Sequence, residues 1–221
     1  MSSQRRPLPR RIKRSGPERR DEIARAVLAI LSEQGAGAIG VAAVASRVGV
    51  APSALYRHYR DKDAIVTDTM ERLATGPAAN LARARAGADR PLEALGELLA
   101  RHLDFIRENR GFPMLLFSDF VLQDPQRRAR ALELMAAFRD TVAELLRAGQ
   151  RRGLVRRDLD VPTATYIYMG LFIPAAVQYH MSAGRFDLAA HGRRAWPIFL
   201  AGIRATPRPA ARSHRRKERL P

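Results

Sequence analysis

Residues Ile39–Ile65 read IGVAAVASRVGVAPSALYRHYRDKDAI, and their spacing predicts two short helices on either side of a tight Val48-Gly49-Val50 turn. Val41, Val44 and Val48 mark the first helix, and Pro52 is suited to the opening turn of the second. Advancing by about 100° per residue from Leu55 brings Tyr59 back beside it, so these two face inward with Pro52 next to them. Arg57 then stands at the opposite pole, flanked by Ser53, with Ala54 to one side and Tyr56 and His58 on the shoulders. A short helix held in front of another and tipped with small, aromatic and basic side chains suits a DNA major groove. In that setting Arg57 and Ser53 point at base edges, Ala54 can touch a thymine methyl, and Tyr56 and His58 reach phosphates. A bidentate arginine–guanine contact discriminates by about 1–3 kcal/mol. Gly40, at the N-cap of the first helix, leaves backbone N–H groups free to hold a phosphate. Lys62, one of three lysines in the chain, supplies a further point charge.

Outward from this stretch the pattern stays helical. Ser15-Gly16-Pro17-Glu18 fits a capping box, and Ile23, Val27, Ile30 and Leu31 form one apolar stripe that Gly35 and Gly37 end. Asp61 caps a helix running through Ile65, Val66, Met70 and Leu73 to about Arg85. Beyond Gly87 the helices lengthen. Pro91 opens one bearing Leu92, Leu95, Leu98, Leu99, Leu103 and Ile106, and Asn109-Arg110-Gly111 breaks it. A short apolar segment, Met114 to Val121, precedes a long helix from Pro125 with Met135, Phe138, Val142, Leu145 and Leu146 on one side. Arg151 to Asp160 reads as a loop, followed by helices at about 162–183 and 188–204. Pro174 and Pro197 lie inside these and are expected to kink or interrupt them. The fold class is all-α: a basic arm at 1–14, a three-helix helix–turn–helix DNA-binding domain at 15–62, a helical bundle at 63–204 and a basic tail at 205–221.

The chain has 221 residues, a formal net charge of +17 and a sequence pI near 11.5, which favours a polyanionic partner. Residues 1–14 carry +6 and residues 205–221 carry +5, leaving +6 for everything between. Thirty-six of the 39 basic residues are arginine, as a GC-rich coding sequence would give, so position informs more than number. The absence of cysteine excludes disulfides and thiol chemistry. There is no secretory leader and no stretch of about 18 apolar residues, so the expected location is the cytoplasm. No nucleophile elbow, phosphate loop, zinc-ligand spacing or cysteine–histidine pair is present, which argues against an enzyme. His102 and His180 have no partners in sequence that would make a metal site, and no cofactor is implied.

The run Val44-Ala45-Ser46-Arg47-Val48-Gly49-Val50, followed by Leu55-Tyr56-Arg57-His58-Tyr59 and Asp61-Lys62-Asp63-Ala64, resembles the DNA-binding half of the tetracycline-repressor (TetR) family over residues 15–70. The resemblance implies that the third helix reads the major groove, with Pro52, Ser53, Ala54 and Arg57 on the base side. Tyr56, His58 and Lys62 fall where the family contacts phosphates. It further implies a homodimer joined through the last two long helices, a ligand cavity in the larger half whose occupation alters the spacing of the DNA-reading heads, and, most commonly, repression. Three positions depart from the pattern: Gly40-Val41 replaces a Thr-rich cap, Ala42 replaces a polar residue in some relatives, and Ala51 is a weak N-cap. Readout therefore falls on Arg57 and on the basic arm, whose residues 5–14 either enter the minor groove or serve as an unstructured solubilising tail.

In the larger half, Met114, Phe117, Phe120, Met135, Phe138, Tyr166 and Met169 are candidates to line an apolar cavity. Residues of these types at helical spacing are more often core than ligand contacts. With no buried charge identifiable, the expected effector is a largely apolar small molecule. The principal reading is thus a ligand-responsive regulator binding a near-palindromic operator. The competing one is a nonspecific architectural DNA protein, which would have no need of a large apolar second half.

Overall fold

The computed structural model describes residues 16–205, so the basic arm, Ser15 of the capping box and the tail beyond Ala205 lie outside the described residues. Eleven α-helices follow one another among the described residues. The DNA-binding half is built from α1 (Gly16–Gln34), α2 (Val41–Val48), α3 (Pro52–Tyr56) and the start of α4 (Lys62–Ala86). The remainder comprises α5 (Pro91–Glu108), α6 (Phe112–Leu116), α7 (Asp119–Leu122), α8 (Pro125–Arg151), α9 (Val161–Gly170), α10 (Ile173–Met181) and α11 (Leu188–Ile203). Four of these helices begin at an aspartate whose carboxylate accepts the N–H three residues on: Asp61 from Ala64, Asp124 from Arg127, Asp160 from Thr163 and Asp187 from Ala190, at 2.8–2.9 Å. Each such cap contributes about 1 kcal/mol.

The apolar side chains form two clusters. One gathers Ile23, Val27, Ile30, Val44, Leu55, Tyr59, Ile65, Val66 and Met70, and takes in Leu115, Val121 and Ala131 from α6, α7 and α8. The other fills the larger half around Leu95, Leu98, Leu99, Phe138, Val142, Leu145, Leu146, Tyr168 and Phe199. Helix α4 serves both, with Ile65, Val66 and Met70 in the first and Leu81 and Ala84 in the second. A perturbation in either cluster therefore meets the same rod.

Several elements differ from the periodicity-based reading. The helix expected at 162–183 is two helices: α9 stops at Gly170, and Pro174 sits in the first turn of α10, where its missing N–H leaves no bond unmade. Pro197 neither ends nor splits α11, because Phe199 and Ile203 beyond it stay buried on the same packed face. The segment Met114 to Val121, read only as apolar, spans the end of α6 and most of α7. It breaks between α6 and α7 at Ser118, whose backbone is extended and whose hydroxyl donates to the Leu115 carbonyl at 2.7 Å.

Candidate nucleic-acid interface and effector cavity

The turn between α2 and α3 is set by Gly49. Its φ of 71° is left-handed, where a side chain costs roughly 1–2 kcal/mol, and the Val50 N–H closes the end of α2 onto the Ala45 carbonyl at 2.9 Å. Helix α3 has only five residues, PSALY, and Arg57 caps its C-terminus in helical geometry. The chain turns on through His58, whose N–H, like that of Tyr59, bonds to the Leu55 carbonyl at 2.9 Å.

Leu55 and Tyr59 are the buried anchors of this segment, as the helical wheel places them. Pro52 is not beside them: it is exposed, because α3 begins there and its first turn stands clear of the core. The Tyr59 hydroxyl donates to Asp68 Oδ2 at 2.6 Å, and Asp68 in turn binds Arg72, which also reaches Asp21 on α1. Burial, reinforced by the bond to Asp68, pushes the Tyr59 phenol well above its usual range, so it remains a donor. One buried tyrosine thus ties the end of the recognition segment to α4 and α1.

The groups left facing solvent are Pro52, Ser53, Tyr56, Arg57 and His58, with Tyr56 57% exposed, while Ala54 and Gly40 are half-buried. Gly40 has the extended backbone of an N-cap with no side-chain cap on α2. Lys62 opens α4, half-buried, with its ammonium 5.9 Å from the centre of the Phe120 ring. Arg47 on α2 is held by Glu33 of α1 through two bonds of 2.6 and 2.5 Å, and that contact lowers the Glu33 pKa.

In the larger half an apolar cavity of about 90 Å³ opens between α4, α5, α6, α8, α9 and α10. Five of the seven candidates line it: Met114, Phe117, Met135, Phe138 and Met169. Phe120 does not. The break at Ser118 turns it toward the first cluster, where the Arg127 guanidinium lies 3.8 Å from its ring centre and Arg127 pairs with Asp63 at 3.4 Å. Tyr166 does not either. It sits on the outward face of α9, 63% exposed, because Thr165, Tyr168 and Met169 occupy the packed face.

The lining residues missed by the sequence reading include Pro77, Phe105, Phe112, Phe172 and, above all, His102. His102 continues the α5 apolar stripe of Leu95, Leu98 and Leu99, and a histidine on that stripe was the available signal. A second groove, about 610 Å³, runs between α5 and α11 past Trp196, but Glu93, Glu97, Asp104, Arg107 and Arg193 border it. The smaller cavity has the apolar lining a small-molecule site needs.

Residues 23–69 match the bacterial regulatory proteins of the tetR family, and residues 88–203 match the tetracyclin repressor-like C-terminal domain. The chain belongs to the TetR family. It is a DNA-binding transcriptional regulator with an N-terminal helix–turn–helix domain followed by a helical C-terminal domain. Solved structures share this fold. A ketosteroid transcriptional regulator of Mycobacterium tuberculosis superimposes with a TM-score of 0.74 at 21% identity, covering 89% of this chain and 100% of that one. A TetR family regulator from Thermus thermophilus gives 0.71 at 23% identity over 82% and 95%. The transcriptional regulator FadR from Bacillus subtilis, in complex with stearoyl-CoA, gives 0.66 at 17% identity over 83% and 98%. No curated sequence matches the chain. Among the described residues no helix is long and apolar enough to cross a membrane, and no group of acidic and histidine side chains is placed to hold a metal.

Proposed function

We propose that this TetR family regulator is a repressor that binds a near-palindromic operator as a homodimer and leaves it when a largely apolar small molecule enters the cavity between α4, α5, α6, α8, α9 and α10. It acts by binding and not by catalysis. Ser53, Arg57, Pro52 and Ala54 face the bases; Tyr56, His58, Lys62 and the α2 N-terminus at Gly40 take phosphates. The observation that carries the reading is the pairing of an exposed, rigidly anchored α3 with an apolar cavity, one wall of which also packs into the apolar cluster of the DNA-binding half.

That wall is α6. Phe112, Pro113, Met114 and Leu116 line the cavity while Leu115, between them, is fully buried in the N-terminal cluster. Sites for drug-sized ligands occupy roughly 300–1,000 Å³. At about 90 Å³ the cavity must widen to take such a molecule, and an outward step of α6 or α4 is transmitted to the helices beneath α3. Neighbouring regulators whose ligands or names point to acyl chains and ketosteroids accord with an apolar effector. Exposed Tyr166, Ile167, Val177, Met181 and Ile198 on α9, α10 and α11 support dimerisation there.

Footprinting on the DNA that flanks the gene tests the reading. A two-fold protected site whose sequence preference is lost in Arg57→Ala is the expected result. Equal protection of unrelated DNA by both proteins would leave a nonspecific DNA binder instead.

A further inference from the structure

The cavity wall is apolar with one exception. His102, on α5, is the sole titratable side chain among the lining residues, and its Nδ1 is shielded from solvent with no hydrogen-bond partner. It is the only buried side-chain nitrogen or oxygen of the described residues left in that state. The imidazole is clamped by aromatic rings, with centroids 4.4 Å away at Phe172, 4.8 Å at Phe138 and 6.2 Å at Phe105. An orphaned buried polar atom costs a fold free energy that an apolar group of similar shape would not. A phenylalanine or leucine here would complete the packing. The histidine is therefore a stability deficit placed at the ligand surface.

We propose that His102 is the polar anchor of the effector cavity, and that the effector is an uncharged, largely apolar molecule bearing one hydroxyl or carbonyl that hydrogen-bonds to the imidazole. This rests on the reading of the cavity as the effector site. His102 is itself among the residues that line the cavity, so an occupant meets its ring. Burial lowers the His102 pKa to about 4, so at neutral pH the ring is uncharged and offers one donor and one acceptor. No charged side chain lines the cavity to neutralise an ionised ligand group, which would be left poorly solvated. The phenylalanines supply flat surface for the rest of the molecule.

The test uses the full chain and a matched pair of probes, 4-ethylphenol and ethylbenzene, followed by calorimetry and by the imidazole nitrogen resonances. Ethylbenzene is the more hydrophobic, so burial alone favours it, and a preference for the phenol reports the hydrogen bond. The wild-type chain is expected to bind 4-ethylphenol at least about fivefold more tightly, with the His102 nitrogen resonances shifting for the phenol alone. His102→Phe should abolish the preference while keeping ethylbenzene binding, which shows that the variant is folded. His102→Gln, retaining a donor and an acceptor, should restore part of it. If both probes bind and the preference is the same with and without His102, the anchor is overturned while the cavity remains an effector site. If neither probe binds the wild-type chain, the cavity reading falls and the anchor with it.

Discussion

At the level of single residues, His102 also makes a prediction that needs no ligand. Its pKa of about 4 in the folded chain lies below the 6.5 of an unperturbed histidine, and burial is the cause. As pH falls below 6.5 the unfolded chain takes up a proton that the folded chain resists until about 4. The contribution to stability is complete above that window and is lost through it, by on the order of 3 kcal/mol. Denaturant unfolding at pH 7 and pH 5 should show about 2 kcal/mol of this loss in the wild-type chain and a flatter response in His102→Phe. The variant should also be more stable at pH 7, since it removes an unpartnered nitrogen. Glu33 and Asp160, whose pKa values are lowered by hydrogen bonds, add acid sensitivity of their own, but equally in both proteins. A His102→Phe chain that is no more stable at pH 7 and as acid-sensitive as wild type would show the imidazole to be satisfied by a route other than the cavity.

At the level of elements, α6 packs on α1 beside the rod of α4, and Gly111 at its N-cap sets how closely it lies there. A Cβ at that position would stand 2.6 Å from the Leu28 carbonyl oxygen, which is backbone and has little freedom to yield. Gly111→Ala should push α6 off α1 and cost about 1–3 kcal/mol. It should also weaken operator binding without effector, because it imposes the displacement assigned to a ligand. Unfolding and DNA titration of this variant, with Gly37→Ala as a control whose Cβ meets nothing within 4 Å, distinguish a local clash from a general glycine effect. Undiminished operator affinity in a destabilised Gly111→Ala chain would remove α6 from the signalling path.

The same element shows what the sequence conveyed and what it did not. Caps and openings were readable because they depend on local chemistry: Asp61 caps a helix, and Pro91 and Pro125 each open one, as read. So were Leu55 and Tyr59 as anchors, which three-point-six periodicity places on one side. The direction of Phe120 was not readable, since it hinges on the backbone break at Ser118, which Ser118-Asp119 within a largely apolar run does not specify. Nor was the difference between Pro174 and Pro197, decided by which flanking side chains find a packed surface. His102 sat in plain view on the α5 stripe, but its consequence requires the three rings that surround it, and these come from α5, α8 and the turn before α10.

At the scale of the whole molecule, the last three helices present apolar side chains that the single chain does not cover. Ile198 is 76% exposed and Met181 75%, and Tyr166 and Ile167 on α9 are also open to solvent. Isolated exposed apolar residues are ordinary; the homodimer proposed above would bury this group between two copies. Two DNA-reading heads held on one scaffold bind neighbouring half-sites with a gain in avidity of about 10²–10⁴ over a single head. Replacing Ile198 and Met181 together by Glu places two like charges against their copies in a two-fold dimer. Sedimentation at micromolar concentration should then show a monomer, and operator affinity should fall by about the avidity factor. The melting behaviour of the monomer itself should change little, because both side chains already stand in water within one chain. That combination, intact fold with lost pairing and lost operator binding, distinguishes an interface from a core. A double variant that still sediments as a dimer on its operator would move the pairing surface elsewhere, and the groove beside Trp196 between α5 and α11 would be the next face to charge.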